Sequence, residues 1–121
     1  MKLHAEKPAA NAITAITENT VHIDGIPHQN SVFVGYDTPA QTWDASCIDD
    51  ITADLLEQFI AFQPELVLIG TGKTHGFVHP QHSRVLLERG IGVECMSTQA
   101  AARTYNVLLQ EGRRVFAALI L

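Results

Sequence analysis

The sequence predicts an α/β fold, a three-layer domain with a central mixed, largely parallel sheet, an N-terminal β-meander and a βαβ C-terminal half. Residues 66–69 form an apolar run without polar alternation, which is typical of a parallel strand covered on both faces. From residue 66 onward the pattern runs strand, helix, strand, helix, strand, which is typical of βαβ units with right-handed crossovers. Short β-prone runs separated by turn residues in the first third predict the meander.

Length and composition favour a single domain over residues 1–121. The chain has 121 residues, of which 46% are hydrophobic, enough for one core that buries roughly two thirds of the unfolded surface. Residues 1–10 are polar and contain proline and alanine, so we expect a flexible tail there.

Cysteine usage and apolar run lengths bear on the compartment. Cys47 and Cys95 are the two cysteines and have no C-x-x-C spacing, so free thiols in a reducing compartment are expected. The first residues lack the apolar region of a secretory signal. The longest apolar run, residues 115–121, is far shorter than the ~20 residues of a membrane-spanning helix. We therefore expect a cytoplasmic protein without a membrane span.

The formal net charge of -5 argues against general nucleic-acid binding, because phosphate contacts need a basic surface. The charge is unevenly distributed. Residues 1–72 hold ten acids and two bases, whereas residues 73–121 hold three acids and six bases. This polarity either steers a small anion toward the start of the basic half or pairs the two halves of one fold, and pairing is the simpler interpretation.

The meander is predicted from residue 12 onward. Residues 12–16 and 20–23 are short β-prone runs, and Asp24-Gly25 supplies a strong hairpin turn signal. Residues 28–34 then continue as one strand, and Pro27 is expected near its start or on an edge.

The middle of the chain is predicted as an irregular connection followed by a helix. Residues 35–47 show no period, and Trp43 is expected to anchor them on the core. Asp50 or Thr52 caps the helix, and Pro64 ends it. Its apolar stripe consists of Ile51, Leu55, Phe59 and Phe62.

After the strand at residues 66–69, the second half alternates regularly. Pro80 opens a short helix that reaches Glu88, with Gly90 as its C-terminal cap. Residues 92–96 form a short strand, and Ser97 or Thr98 caps the next helix. The chain ends on a buried strand.

The loop at residues 70–74 is the first candidate for a ligand or partner site. In open α/β sheets, ligands bind outside the carboxyl ends of parallel strands. This loop and the one at residues 96–98 emerge at the same edge if their strands are neighbours. The candidate site comprises Gly70, Thr71, Gly72, Lys73, Thr74, Glu94 and Thr98.

Glu94 stands out because it is a carboxylate inside an expected buried strand, where it must be paired, hydrogen-bonded or protonated. Two interpretations stay open. Glu94 either joins the two loops as a structural element or belongs to a ligand pocket together with Thr71 and Thr98. For Tyr105 and Asn106 we favour packing and hydrogen bonding within the fold.

Motifs for known cofactors are incomplete. A phosphate-binding P-loop requires a glycine five residues before Gly72, where the chain has Val67, and the dinucleotide fingerprint is also missed by one residue. A tight turn from strand to loop explains Gly70 and Gly72 better than a cofactor-binding motif does. His75, His79 and His82 lack a recognised metal-ligand spacing. We therefore expect no cofactor, no metal and no catalytic residue, and Cys95 is interpreted as a buried thiol rather than a nucleophile.

Three motifs carry a family resemblance. They are Gly70-Thr71-Gly72 after a strand, the G-I-G-V-E-C-M-S-T run of residues 90–98, and the T-Y-N-V-L-L-Q-E-G-R run of residues 104–113. In combination they resemble a small family of uncharacterised α/β domains that includes bacterial and archaeal proteins and the mitochondrial assembly factor of respiratory complex I. The resemblance extends over residues 12–121.

The resemblance implies a three-layer fold with a mixed sheet and no established catalytic activity, and it implies that one branch works through protein partners. The first function hypothesis is accordingly a non-enzymatic accessory or assembly module with protein partners. The alternative is a small-molecule (anion) binding protein or an enzyme that uses the crevice at residues 70–74. The oligomeric state stays open, a homo-oligomer included.

Overall fold

A computed structural model describes residues 9–121. The first part is a three-stranded antiparallel sheet of β1 (Ile13–Ile16), β2 (Val21–Ile23) and β3 (Ile26–His28). Asp24 and Gly25 both have positive φ, at 53° and 81°, as a two-residue hairpin turn of the primed type requires. The predicted meander and its Asp24-Gly25 turn are confirmed. The flexible tail expected at residues 1–10 lies mostly outside the described residues.

The second sheet has five strands, ordered β5-β4-β8-β6-β7. Strand β6 pairs in parallel with β7 and β8, whereas β4 pairs antiparallel with β5 and β8, so the sheet is mixed as predicted. The strands are β4 (Val32–Gly35), β5 (Thr38–Thr42), β6 (Leu66–Gly70), β7 (Gly92–Met96) and β8 (Val115–Leu119). The middle of the sheet is therefore β8, and β6 lies one place from the edge.

Helices cover both faces of this sheet. On one face lie α1 (Ala53–Glu57) with the 3-10 turn Gln58–Phe62, and α2 (Pro80–Leu87). The other face is covered by α3 (Thr98–Gln110) and the meander, which share a core cluster with β4, β6 and β8. Within residues 9–121, no helix has the length and apolar character needed to cross a bilayer.

Two predictions for the first half are wrong. The single strand at residues 28–34 is two strands in different sheets, because the polar residues 29–31 carry the chain from β3 to β4. Residues 35–47 are not wholly irregular, since Thr38–Thr42 pairs with β4 as an edge strand that tolerates Pro39. The Trp43 anchor is confirmed, because its side chain is 3% exposed in the core under α1.

The predicted helix starts are confirmed in part. The Thr52 hydroxyl accepts a hydrogen bond from the Leu55 amide at 3.4 Å, and the Ser97 hydroxyl accepts one from the Ala100 amide at 3.3 Å. Of the two residues proposed for each start, Thr52 and Ser97 are the caps of α1 and α3. The first helix also buries Leu56 completely, which the predicted stripe missed.

Candidate functional site

The loops that follow β6 and β7 meet at one end of the sheet, as expected for neighbouring parallel strands. The Thr71 amide donates to the Met96 carbonyl at 2.8 Å, and the Thr98 amide donates to the Gly72 carbonyl at 2.8 Å. These two backbone bonds join the loop at residues 70–74 to the end of β7 and to the start of α3.

Thr98 is the centre of this junction. Its hydroxyl accepts a hydrogen bond from the Gly72 amide at 2.9 Å and donates one to the Ile120 carbonyl at 2.7 Å, and the residue is 5% exposed. A β-carbon on Gly70 would stand 2.9 Å from the Thr98 α-carbon, so glycine is required there for α3 to approach β6. Thr98 thus links the β6 loop, α3 and the end of β8.

Thr71 shapes its own loop. Its hydroxyl accepts a hydrogen bond from the Gly76 amide at 2.9 Å, and it lies 2.7 Å from the Thr74 carbonyl and 3.2 Å from that of Met96. One hydroxyl proton serves one of these two carbonyls at a time. The hydroxyls of Thr71 and Thr98 are therefore occupied by contacts within the fold.

Lys73 reaches across to the meander. Its Nζ lies 2.7 Å from Oε1 of Glu18, in the turn between β1 and β2, and the two side chains are 71% and 69% exposed. The hydrogen bond and charge of Lys73 hold the pKa of Glu18 below its usual range. Within residues 9–121, a second ion pair joins Arg113 to Glu65. Both pairs connect the acidic half to the basic half, which favours the pairing interpretation of the charge polarity.

A cleft of about 250 Å³ opens between the β1–β2 turn, the loop after β6 and the start of α3. Its polar and charged lining includes Glu18 and Lys73, with Arg103 projecting from α3. Ile16, Ile120 and Leu121 contribute apolar lining. The volume is somewhat below the roughly 300 to 1,000 Å³ of common ligand sites.

Glu94 is exposed, whereas the sequence predicted that it is buried. Strand β7 is an edge strand, and the Glu94 side chain on it is exposed; among residues 9–121 it makes no hydrogen bond or ion pair. The interpretation of Glu94 as a structural link between the loops is therefore wrong. It also lies outside the lining of the cleft, so it does not converge with Thr98. We expected Glu94 to be buried because the residues around it are apolar. Strand β7 lies at the edge of the sheet, however, where less of the protein covers it than covers a central strand.

His79 and His82 accept hydrogen bonds within the fold, and Cys95 is half-buried. His82 Nδ1 accepts a hydrogen bond from the Ala53 amide at 3.2 Å, and His79 Nδ1 accepts one from the Gln81 amide at 3.1 Å. No group of three His, Cys, Asp or Glu side chains suited to a metal occurs in the part of the chain that the structure describes. Burial raises the pKa of the half-buried Cys95 thiol, which disfavours a reactive thiolate there.

Sequence reasoning missed one exposed surface beside β7. Gly92 and Met96 bond to β6, so strand alternation turns the backbone groups of Val93 and Cys95 away from the sheet. Among residues 9–121 these outward groups have no hydrogen-bond partner. Phe77 is nearby, since the next residue, Val78, packs against the same core cluster as Val93 and Cys95. We call Val93, Cys95 and Phe77 the β7 edge surface.

Phe77 is the most exposed large apolar residue of the described chain, at 78%. Its ring packs against that of His75, with centroids 4.5 Å apart. No local signal in the sequence distinguishes this phenylalanine from a buried one, because exposure depends on where the loop lies. The position of β7 at the edge is likewise absent from its own residue pattern.

Comparisons with known proteins fit this architecture. A protein from Bordetella parapertussis has a crystal structure that is 40% identical, with a TM-score of 0.88 over 93% of this chain and 96% of that one. The solution NMR structure of a Bordetella pertussis protein, a Mth938-like domain, is 34% identical, with a TM-score of 0.85 over 99% of this chain and 92% of that one.

Two curated relatives show the range of the sequence similarity. An uncharacterized protein of Rhodobacter capsulatus is 39% identical over 99 residues, which are 81% of this chain and 74% of that protein. NADH dehydrogenase [ubiquinone] 1 alpha subcomplex assembly factor 3 of Mus musculus is 39% identical over 80 residues, or 64% of this chain and 43% of the mouse protein. The chain thus spans less than half the length of the mouse relative.

A family profile with the description "Protein of unknown function (DUF498/DUF598)" matches residues 13–120, which is nearly the whole chain. The two motif-bearing loops and the strands and helices around them all fall within the match. The chain therefore belongs to the DUF498/DUF598 family.

Proposed function

We propose that this protein is a non-enzymatic accessory or assembly module that acts through a protein partner. The observation that carries the proposal is the β7 edge surface, where unpaired strand backbone lies beside an exposed aromatic side chain. An open edge strand is a template for an added strand of another chain. The assembly-factor name of the mammalian relatives supports the same class of function.

The two edges of the five-stranded sheet differ in a way that favours β7. The other edge, β5, contains Pro39, which has no amide proton to offer and is typical of a protected edge. In β7, both Val93 and Cys95 keep an outward amide and carbonyl. An extended segment of the partner pairs with these groups, and an apolar side chain of the partner packs on Phe77.

The internal use of the Thr71 and Thr98 hydroxyls also favours this class over an enzyme. A catalytic or ligand-binding loop presents polar groups toward a reactant, whereas these groups close the junction between β6 and α3. Partner binding needs no such free groups in the loop. It needs an accessible surface with a few apolar and aromatic anchors.

Affinity capture from an extract of the source organism tests the proposal with Val93→Pro and Phe77→Ser. Proline at position 93 removes an outward amide without removing a bond to β6, and the preceding Gly92 tolerates the extended backbone that proline demands. Each variant is first checked for a cooperative thermal transition. We expect a stoichiometric partner on the parent protein that both variants lose.

Val107→Ser is the matched control, because Val107 is an exposed apolar residue on α3, 55% accessible and outside the β7 edge surface. It should retain the partner. If both edge variants capture the partner as well as the parent does, β7 is not the docking edge. If size-exclusion chromatography shows that the captured chain is a second copy of the protein, the accessory role is replaced by self-association. A metabolite screen that raises the melting temperature with no captured partner favours the alternative class instead.

A further inference from the structure

The cleft between the meander and α3 is lined by charged side chains that have no part in the proposed partner binding. Lys73 and Arg103 bring two cationic side chains to its lining, where Glu18 is the one acidic side chain. Neither the loop junction at Thr98 nor the β7 edge surface needs these cations. Among residues 9–121, Arg103 has no ion-pair partner.

Its apolar lining comes from a different part of the fold. Ile120 is nearly fully buried at the end of the central strand, and Ile16 and Leu121 lie partly exposed next to it. The cleft therefore offers positive charge together with an aliphatic wall. A molecule complementary to both has an anionic head and a short aliphatic tail.

The size of the cleft limits that molecule. A volume of about 250 Å³ lies just below the roughly 300 to 1,000 Å³ of common ligand sites. This small volume favours a small ligand over a nucleotide or a long acyl chain. An acid with a chain of a few carbons fits it.

The ion pair between Glu18 and Lys73 shows that Lys73 already binds a carboxylate in this cleft. Glu18 Oε1 approaches Lys73 Nζ to 2.7 Å, although both side chains are well exposed to water. Exposed pairs of this kind are weak and exchange readily, so a ligand carboxylate competes with Glu18 for the same ammonium group. The planar guanidinium of Arg103 is a fitting second donor because its fork matches a carboxylate.

We propose that this cleft binds a short aliphatic carboxylate, with Lys73 and Arg103 as its anion-binding groups, Ile16, Ile120 and Leu121 as its apolar wall, and Glu18 as an internal competitor. The proposal is independent of the partner-binding role. It assigns a ligand class to the cleft and an anion-binding role to Lys73 and Arg103.

Titration of the ¹⁵N-labelled protein with butyrate, followed by amide chemical shifts, tests it. We expect saturable shifts at Gly72 and Gln99, which line the cleft, with a Kd of about 1 to 10 mM for so small a ligand. Butyramide, the neutral analogue, should give no saturable shift, and added salt should weaken the binding of butyrate. Inorganic phosphate tests whether any anion suffices, and it should bind more weakly because it makes no use of the apolar wall.

Three substitutions separate the roles. Arg103→Gln and Lys73→Gln should each weaken butyrate binding by about threefold to fivefold, and Glu18→Gln should strengthen it by a similar factor of about three, as expected for exposed charges. Arg89→Gln, an exposed arginine outside the cleft, is the control and should change nothing. Equal binding of butyramide and butyrate, a phosphate affinity above that of butyrate, or unchanged affinity in both Arg103→Gln and Lys73→Gln would overturn the proposal.

Discussion

The side-chain amide of Asn106 satisfies both backbone groups of Ile13. Asn106 Oδ1 accepts a hydrogen bond from the Ile13 amide at 2.9 Å, and Nδ2 donates one to the Ile13 carbonyl at 2.6 Å. The Tyr105 hydroxyl adds a bond to the Asn11 carbonyl at 2.8 Å. Two adjacent residues of α3 thus hold the first strand of the meander, which confirms the packing interpretation of both.

Asn106→Ala should destabilise the protein by about 1 to 3 kcal/mol, because the half-buried amide and carbonyl of Ile13 then lack partners. Asn106→Asp keeps the acceptor for the Ile13 amide but sets a second carboxylate oxygen against the Ile13 carbonyl, so it should lose at least as much stability. The free energy of unfolding from urea titration measures both. Gln110→Ala, on an exposed turn of the same helix, is the control and should stay within about 0.5 kcal/mol of the parent. An Asn106→Ala variant as stable as that control would contradict the clamp.

Thr98→Val should also be costly, since it keeps the shape of the side chain but removes both hydrogen bonds of the hydroxyl. The Gly72 amide and the Ile120 carbonyl are left unsatisfied, at about 1 to 3 kcal/mol for a buried group. Thr98→Ser retains the hydroxyl and should recover most of this loss. Thr42→Val, at an exposed position of β5, serves as the comparison. Chemical denaturation in which the Val and Ser variants at position 98 are equally stable would remove the junction role of the hydroxyl.

Glu94→Ala and Glu94→Gln should leave the free energy of unfolding within about 0.5 kcal/mol of the parent, because the exposed carboxylate holds no partner among residues 9–121. Glu94→Val should act differently. Like alanine, valine removes a charge that opposes edge-to-edge association, but it also adds an apolar, β-branched side chain that favours strand pairing. Sedimentation velocity at rising protein concentration should therefore show more self-association for the valine variant than for the alanine variant.

Acid should weaken the fold partly through Glu65. Its carboxylate accepts hydrogen bonds from the Arg114 amide at 3.0 Å and from Arg113 Nε at 2.7 Å, and these hold its pKa below the ordinary value of 4.5. Because the folded pKa lies below the unfolded one, this contribution to stability is present above pH 4.5 and disappears as the pH falls through the folded value.

The pH dependence of unfolding in Glu65→Gln tests this assignment. The variant should be less stable than the parent at neutral pH, and the difference should shrink as the pH falls below 4.5. Glu57→Gln is the control, since the Glu57 side chain is exposed and takes part in neither ion pair found within residues 9–121. A stability difference that stays constant at all pH values would show that Glu65 acts through packing rather than through its charge.

Local elements were largely predictable because their signals lie within a few residues. The Asp24-Gly25 turn, the Thr52 and Ser97 caps and the strand Gly92–Met96 each depend on backbone preferences of the residues themselves. The misassigned segment at residues 28–34 shows the limit of this reasoning. Its polar middle was consistent with one strand or two, and only pairing with different sheets separated β3 from β4.

By itself, the sequence determined the fold class, the family and the loop that turns after β6, since glycine, caps and apolar periodicity are properties of adjacent residues. Tertiary structure decided the order of the strands, and thereby whether the Glu94 side chain is buried or exposed. The same apolar spacing fits a central or an edge strand, and hydrogen bonds to neighbours from distant parts of the chain place β8 in the middle and β7 at the edge. It also brought Glu18 to Lys73 and thereby formed the cleft, because a contact between side chains 55 positions apart in the sequence leaves no local pattern in it.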